Sequence, residues 1–189
     1  MVSLQVIEDF LNTVDERTFT RHGESHVPGE RLTSPQALAD WLAVRGLTSG
    51  DTPLGVTDVA ATIALRTALR QALVADAGAD VTATSTLRDY PLRLVPDVSG
   101  GLRIAVTSGR PWLDAIVETV AGSVAKGDWA RVKLCAAPDC RWAFYDVSRN
   151  GRGRWCTMEV CGNRQKTRTY RQRRQHDNEM TVSRRVSQS

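Results

Sequence analysis

The chain has 189 residues, of which 41% are hydrophobic and 24% charged, and its formal net charge is +4. This length suits one domain, or a modest domain with a small module, and it excludes a large multidomain enzyme. The composition is close to the globular average, which argues against wholesale disorder and fibrous classes. The charge is unevenly distributed, because residues 1–130 carry a net charge of −5 and residues 131–189 carry +9.

The N-terminus lacks the features of a targeting segment. Residues 1–9 contain no basic region, and acidic residues interrupt their short apolar start, so we predict no signal peptide. No apolar run approaches the roughly 18–20 residues of a membrane span. We therefore expect no membrane association and a reducing, cytoplasmic setting, in which clustered cysteines are more often metal ligands than disulfides.

The region before residue 130 is predicted to be mostly helical. An apolar stripe predicts a first helix that starts near Val6 and ends near Glu16, and residues 17–32 have the composition of a loop. Ser34-Pro35 predicts the start of a second helix, because serine is a preferred N-cap and proline suits the first helical position.

Two further helices and a hairpin are predicted in the rest of this region. Residues 57–77 combine high helix propensity with an apolar face, whereas residues 80–86 are predicted to be a turn-rich connection. Short alternating runs within residues 92–106 predict a β-hairpin. A last helix is predicted to begin at Pro111 and to end at Gly127.

Residues 1–130 contain no sharp catalytic signature. They lack a glycine-rich phosphate loop, a G-x-S-x-G elbow and an H-E-x-x-H sequence, and we predict that the protein is not an enzyme. Four polar residues crowd one side of the first helix and its end, namely Asp9, Asn12, Asp15 and Arg17. We expect an exposed or capping role for them, with a pocket for a small-molecule effector as the alternative.

Four cysteines lie close together in the basic part of the chain, with the spacing C-x4-C-x15-C-x4-C: Cys135, Cys140, Cys156 and Cys161. Each short pair can supply two corners of a tetrahedron, and four thiolates are a typical ligand set of structural zinc. We predict one structural Zn²⁺, with no open coordination position for catalysis. Two disulfides or four separate buried thiols are the alternatives.

The segment between the two cysteine pairs must fold back on itself. Residues 142–145 favour a β-strand, Asn150-Gly151 is a turn signal, and Arg154-Trp155 can return antiparallel. We therefore predict an Asn-Gly hairpin between the pairs.

The segment after Cys161 has six basic residues and no acidic residue between positions 164 and 174. We predict a helix from about Glu159 to Gln175. Nucleic-acid phosphate is the partner that we expect to neutralise its positive charge. A solvated helix, or one docked on the acidic N-terminal part, is the alternative. The predicted nucleic-acid contacts are Asn163, Arg164, Lys166, Arg168, Arg171, Arg173 and Arg174 on the helix, and Arg152 and Arg154 on the hairpin.

These motifs resemble those of the CGNR zinc-finger proteins, bacterial stress-induced transcription regulators with an N-terminal ABATE domain. The similarity rests on the cysteine spacing, on Arg154-Trp155-Cys156 and on Cys161-Gly162-Asn163-Arg164, and more loosely on Asp9-Phe10-Leu11-Asn12-Thr13. The resemblance implies a mostly helical N-terminal domain and a C-terminal zinc module that binds DNA. Gly153 departs from the pattern, because a second arginine is expected before Arg154.

We therefore predict a predominantly α (α+β) fold in three parts. An N-terminal orthogonal helical domain with a β-hairpin spans residues 1–130, a treble-clef-like zinc module (hairpin plus basic helix) spans 131–176, and a polar tail, expected to be disordered, spans 177–189. The predicted function is that of a zinc-binding transcription regulator that binds DNA. The alternative is an RNA-binding or protein-interaction module attached to a small-molecule-binding N-terminal domain. The sequence does not predict an oligomeric state.

Overall fold

The computed structural model describes residues 3–21, 23–48, 53–74 and 81–186, and in this part of the chain the protein has a mixed α+β fold. Its α-helices are α1 (Leu4–Leu11), α2 (Pro35–Val44), α3 (Val56–Ala72), α4 (Val81–Arg88), α5 (Pro111–Lys126) and α6 (Asn163–Val186). Its strands are β1 (Val14–Asp15), β2 (Thr20–Arg21), β3 (Glu24–Ser25), β4 (Gly29–Glu30), β5 (Arg93–Pro96), β6 (Leu102–Ala105), β7 (Val132–Leu134) and β8 (Ala143–Tyr145). The strands form antiparallel pairs β1–β4, β2–β3, β5–β6 and β7–β8.

The helix boundaries that depend on local capping are confirmed. The Ser34 hydroxyl accepts a hydrogen bond of 3.1 Å from the Ala37 amide, and α2 begins at Pro35. Helix α5 begins at Pro111, and Gly127 ends it with a φ of 79°. The β-hairpin within residues 92–106 is confirmed as β5–β6.

Four predicted elements differ from those observed, because side-chain and tertiary contacts outweigh propensity. Helix α1 ends at Leu11, where the Thr13 hydroxyl donates to the Phe10 carbonyl and the chain turns into β1. Residues 17–32 contain strands rather than only loop, and residues 81–88 form α4, which packs against α3. Of the helix predicted for 57–77, α3 ends at Ala72, and residues 75–77 lie outside the described part of the chain.

The main hydrophobic core crosses the expected boundary at residue 130. Buried side chains of α1, α2, α3 and α5 form its centre, and Val132 of β7 and Ala143 of β8 belong to the same cluster. A smaller buried cluster surrounds the cysteines and includes Phe19 and Phe144. The β7–β8 hairpin therefore lies between the two clusters and packs against both.

Helix α6 continues to Val186 rather than ending near Gln175. The segment contains no glycine or proline, and its Arg, Gln and Glu residues are good helix formers, so nothing in it stops the helix. Residues 187–189 of the predicted tail lie outside the described residues. Across the described residues, no helix combines the length and the hydropathy needed to cross a bilayer.

Candidate metal centre

The first cysteine pair lies on a tight turn that closes the β7–β8 hairpin. Leu134 pairs with Ala143 at the end of the ladder, and the Cys135 amide donates to the Trp142 carbonyl at 2.9 Å. The Cys140 amide then donates to the Ala137 carbonyl at 2.9 Å, which brings the two cysteines to the same side of the turn. Both side chains are buried, so the turn presents two sulfur atoms to the interior.

The predicted Asn-Gly hairpin between the cysteine pairs is wrong, since β8 pairs with β7. The buried Asp146 carboxylate shapes the loop that follows β8: it accepts hydrogen bonds from the Ser148 amide at 3.0 Å and the Gly153 amide at 2.6 Å, and from the Lys133 ammonium at 2.6 Å. The Lys133 ammonium holds the pKa of Asp146 well below its usual range. A buried carboxylate must have its acceptors satisfied, and this requirement outweighs the local turn signal.

The second cysteine pair lies at the start of the long helix. Cys156 precedes a π-helical turn, Met158–Gly162, that contains Cys161 and leads directly into α6. The hydrogen bond of 2.8 Å from the Ala136 amide to the Arg154 carbonyl holds this pair beside the first one. Thiolate charge at this end of α6 is favourable, because the N-terminus of a helix carries partial positive charge.

The four sulfur atoms lie within 4.8 Å of one another, and none of the four cysteines is in a disulfide. Cys140 and Cys156 are 3.7 Å apart at their sulfur atoms, and Cys156 and Cys161 are 3.6 Å apart. Tetrahedral zinc with bonds of about 2.3 Å to sulfur requires sulfur atoms about 3.8 Å apart. The sulfur positions therefore fit a tetrahedral zinc site.

Thiol groups this close to one another perturb each other's pKa values. Hydrogen bonds with Cys140 and Cys156 lower the pKa of Cys135, while contact with Cys135 raises the pKa values of Cys140 and Cys156. The cluster therefore does not ionise fully by itself, because several thiolates in one buried place repel one another. A divalent cation supplies the missing positive charge and lets all four sulfur atoms act as thiolates.

One family comparison applies to this part of the chain. Residues 131–174 match the family model of the CGNR zinc finger. The matched segment begins beside β7, contains all four cysteines and ends within α6. Together with the sulfur geometry it assigns one zinc ion to the cysteine cluster, which confirms the predicted cofactor. A search of curated proteins found no match to the chain.

Arg164, predicted as a nucleic-acid contact, is turned towards the metal centre of the CGNR zinc finger. It donates to the Asp139 carboxylate at 2.8 Å and lies 3.8 Å from the Cys161 sulfur. Its guanidinium stacks over the Phe19 ring at 3.5 Å, and only 26% of its side chain is exposed. Arg164 therefore ties α6 to the cysteine turn and to a segment that precedes the zinc finger by more than a hundred residues.

The other predicted nucleic-acid contacts are exposed, and they lie on α6 and on the loop before Cys156. Two of them contact aromatic rings: Arg154 lies 5.2 Å from the Trp155 ring and Arg174 lies 6.0 Å from the Tyr170 ring. The exposed set consists of Asn163, Lys166, Arg168, Arg171, Arg173 and Arg174 on α6, and Arg152 and Arg154 on the loop.

Asn12, Asp15 and Arg17, the residues of the alternative effector pocket, make contacts within the protein. The Asn12 side chain donates to the Ala143 carbonyl and accepts from the Ala143 amide, both at 2.8 Å. Asp15 and Arg17 form an ion pair of 2.6 Å, and the Arg17 guanidinium lies 4.2 Å from the Trp142 ring. Two of the three side chains thus join the N-terminal region to the zinc-bearing hairpin.

Sequence reasoning missed several residues that support the metal centre. Buried Arg70 donates to the Leu11 carbonyl and the Arg141 carbonyl, each at 2.9 Å, and it pairs with Glu16. The sequence does contain a feature that indicates a buried role for Arg70. This arginine follows Leu69 on the apolar face of the predicted helix, where a charged side chain needs a partner. Phe19 carried no comparable local signal.

Proposed function

We propose that the protein is a zinc-dependent transcription regulator that binds DNA through α6. The observation that carries this proposal is the exposed row of cations that begins one turn after the fourth zinc ligand. Lys166, Arg168, Arg171, Arg173 and Arg174 are exposed on α6, and no acidic residue occurs between positions 160 and 176. Such a density of like charge is unfavourable unless polyanionic phosphate neutralises it.

The zinc ion would act as a structural anchor for this helix. The cysteine turn supplies two ligands, and the segment that leads into α6 supplies the other two. In this proposal the hairpin and the helix form a treble-clef-like module. Four protein thiolates fill the coordination shell, so the ion orients α6 rather than activating a substrate. We therefore propose a binding protein that is not an enzyme and that works in the reducing cytoplasm, where the cysteines stay available to the metal.

An α-helix fits the major groove of B-DNA, and arginine can bind phosphate or the guanine edge with two parallel hydrogen bonds. In this proposal the exposed cations of α6 first bind phosphates and then place some arginines at base edges. The regulatory and stress-related parts of the proposal follow from the resemblance of the cysteine and CGNR motifs to those of the family named above.

Fluorescence anisotropy with a labelled random-sequence duplex tests the proposal. The full-length zinc protein is titrated at about 50 and 200 mM salt, and binding should weaken steeply as salt rises, because bound cations release counterions. Arg168→Ala and Arg171→Ala should each reduce the log–log salt slope by about 0.9. Arg93→Ala, at an exposed position on β5, is the matched control and should leave the slope unchanged. Binding that is absent or independent of salt would contradict the proposal.

RNA is the second candidate ligand, because Tyr170 is 62% exposed beside Arg174 and offers a ring on which an unpaired base could stack. Competition between the labelled duplex and unlabelled single-stranded RNA of equal length separates the two ligands. Stronger competition by RNA, lost in Tyr170→Ala, would favour this candidate. Stronger competition by duplex DNA would favour the first.

A further inference from the structure

An open groove of about 810 Å³ runs between α6 and the β2–β3 hairpin. One wall is a single face of α6, on which Arg168, Arg171 and Gln175 recur at helical spacing. Thr20 and Arg21 of β2 form the opposite wall. The groove therefore combines the CGNR zinc finger with a part of the chain that lies outside the match to the family model.

The β2–β3 hairpin is fixed to the metal centre by several contacts. The Thr18 amide donates to the Asp139 carbonyl at 3.0 Å, on the cysteine turn. Phe19 is 8% exposed and packs in the cluster that contains the zinc ligands. The Arg164 guanidinium lies 3.5 Å from the centre of the Phe19 ring, and the centre of the His26 ring lies 4.5 Å away. Arg21, two residues after Phe19, is thus carried on a segment that the zinc finger itself positions.

The groove favours an anion. Arg21, Arg168 and Arg171 are exposed cations in its lining, and most of its other residues offer hydroxyl or amide donors. Two carboxylates also line it. Asp139 is paired with Arg164 at 2.8 Å, and Glu159 is the other carboxylate in the groove lining. Positive charge on both walls fits an extended phosphodiester chain better than a compact neutral ligand.

We propose that this groove receives the sugar–phosphate backbone of one nucleic-acid strand and that Arg21 contributes a phosphate contact from the N-terminal part of the chain. The inference rests on the proposed function. It adds a second wall to the interface, so that α6 and the β2–β3 hairpin hold the strand from two sides. Phosphate contacts of this kind set the register and orientation of a protein on its nucleic acid.

Three variants at two positions test the contribution of the hairpin in the full-length zinc protein: Arg21→Ala, Arg21→Lys and Arg31→Ala. Arg21→Ala should weaken duplex binding at low salt about threefold to tenfold and reduce the salt slope by about 0.9, because one phosphate contact is lost. Arg21→Lys should retain the slope, since lysine keeps the charge. Arg31→Ala removes an exposed arginine from the same region but outside the groove lining, and it should bind as the unaltered protein does. Equal zinc content in all variants shows that the metal centre is intact.

The outcomes separate this inference from the function on which it rests. If Arg171→Ala lowers the salt slope while Arg21→Ala behaves like Arg31→Ala, Arg21 makes no phosphate contact and this inference is wrong. Binding through α6 would still be supported. If neither Arg21→Ala nor Arg171→Ala changes binding, the proposed function fails as well. Inorganic phosphate is also added as a competitor at the total phosphate concentration of the duplex. If inorganic phosphate competes as strongly as the unlabelled duplex, the groove is a site for a free anion. That result would contradict the proposal that the groove receives a nucleic-acid strand.

Discussion

Asn12 at the end of α1 exchanges two hydrogen bonds of 2.8 Å with the backbone of Ala143 in β8. Both residues are buried, so the amide side chain takes the place of a neighbouring strand along that edge of β8. Buried backbone groups require such partners. The contact joins the first helix of the chain to the hairpin that carries two zinc ligands, and it makes the stability of the two regions interdependent.

Asn12→Ala should therefore destabilise the whole protein. The substitution leaves the Ala143 amide and carbonyl buried without partners, and we expect the free energy of unfolding to fall by about 2–3 kcal/mol. Urea denaturation followed by tryptophan fluorescence measures the effect. Asn163→Ala, the same substitution at an exposed position on α6, is the control and should change stability by less than about 0.5 kcal/mol. Equal effects of the two variants would contradict the structural role of Asn12.

Zinc removal should loosen more than the segment matched by the CGNR family model. A structural zinc site contributes on the order of 10 kcal/mol, and β8 is bound to α1 through Asn12. After chelation we expect amide hydrogen exchange to accelerate in residues 132–145 and also in residues 4–11. The β5–β6 hairpin serves as the internal reference. Acceleration confined to residues 131–174 would mean that the metal does not support α1.

Gly153→Ala should destabilise the loop that joins the cysteine pairs. A Cβ atom at this position would lie 2.6 Å from an Asp146 carboxylate oxygen, far inside normal contact distance. We expect a loss of about 1–3 kcal/mol in unfolding free energy and weaker zinc retention. Gly122→Ala in α5 is the control, because nothing lies within 4 Å of its new Cβ, and it should stabilise the protein by about 0.4–1 kcal/mol.

Glu30→Gln should remove a stabilisation that depends on pH. Arg66 is 3% exposed and donates to both Glu30 oxygens. Burial alone would raise the pKa of Glu30, but hydrogen bonds from Arg66 and from the Leu32 amide outweigh it and lower the pKa below 4.5. The carboxylate therefore contributes stability above about pH 4.5 and loses it as the pH falls through the lower folded value.

We expect the unaltered protein to exceed Glu30→Gln by about 1–3 kcal/mol at pH 7, with the difference shrinking below about pH 4.5. Urea titrations of both proteins across this range measure the difference. Zinc affinity also falls in acid, but it falls in both proteins alike and cancels in the comparison. A difference that does not change with pH would show that the carboxylate charge is not the cause.

Arg164→Ala and Arg168→Ala should separate a positioning residue from a contact residue. Arg164 links Asp139, Phe19 and the Cys161 sulfur, so its loss should lower the free energy of unfolding by about 1–2 kcal/mol and speed zinc transfer to a chelator. Arg168 is exposed, and its loss should leave both measurements unchanged while weakening duplex binding. Zinc transfer that is equally fast in both variants would contradict this division.

The zinc ligands and several helix ends could be predicted from the sequence because they depend on local chemistry. Two short cysteine pairs are enough to indicate a tetrahedral sulfur site, wherever the rest of the chain lies. Ser34-Pro35 and Gly127 likewise define helix ends through their own backbone preferences. The concentration of positive charge after Cys161 is also a property of the sequence alone.

Only the tertiary structure decided which distant groups meet. Strand β8 pairs with β7 instead of Arg154-Trp155, Asn12 supplies the missing edge of β8, and Phe19 packs among the zinc ligands. These contacts form because particular polar and apolar surfaces are buried together. The hydrogen-bonding groups that pair there are far apart in the chain, so local spacing does not encode them. The sequence alone therefore determined the metal and the charge of α6, whereas long-range packing determined that Arg164 faces the metal centre and Arg21 faces the groove.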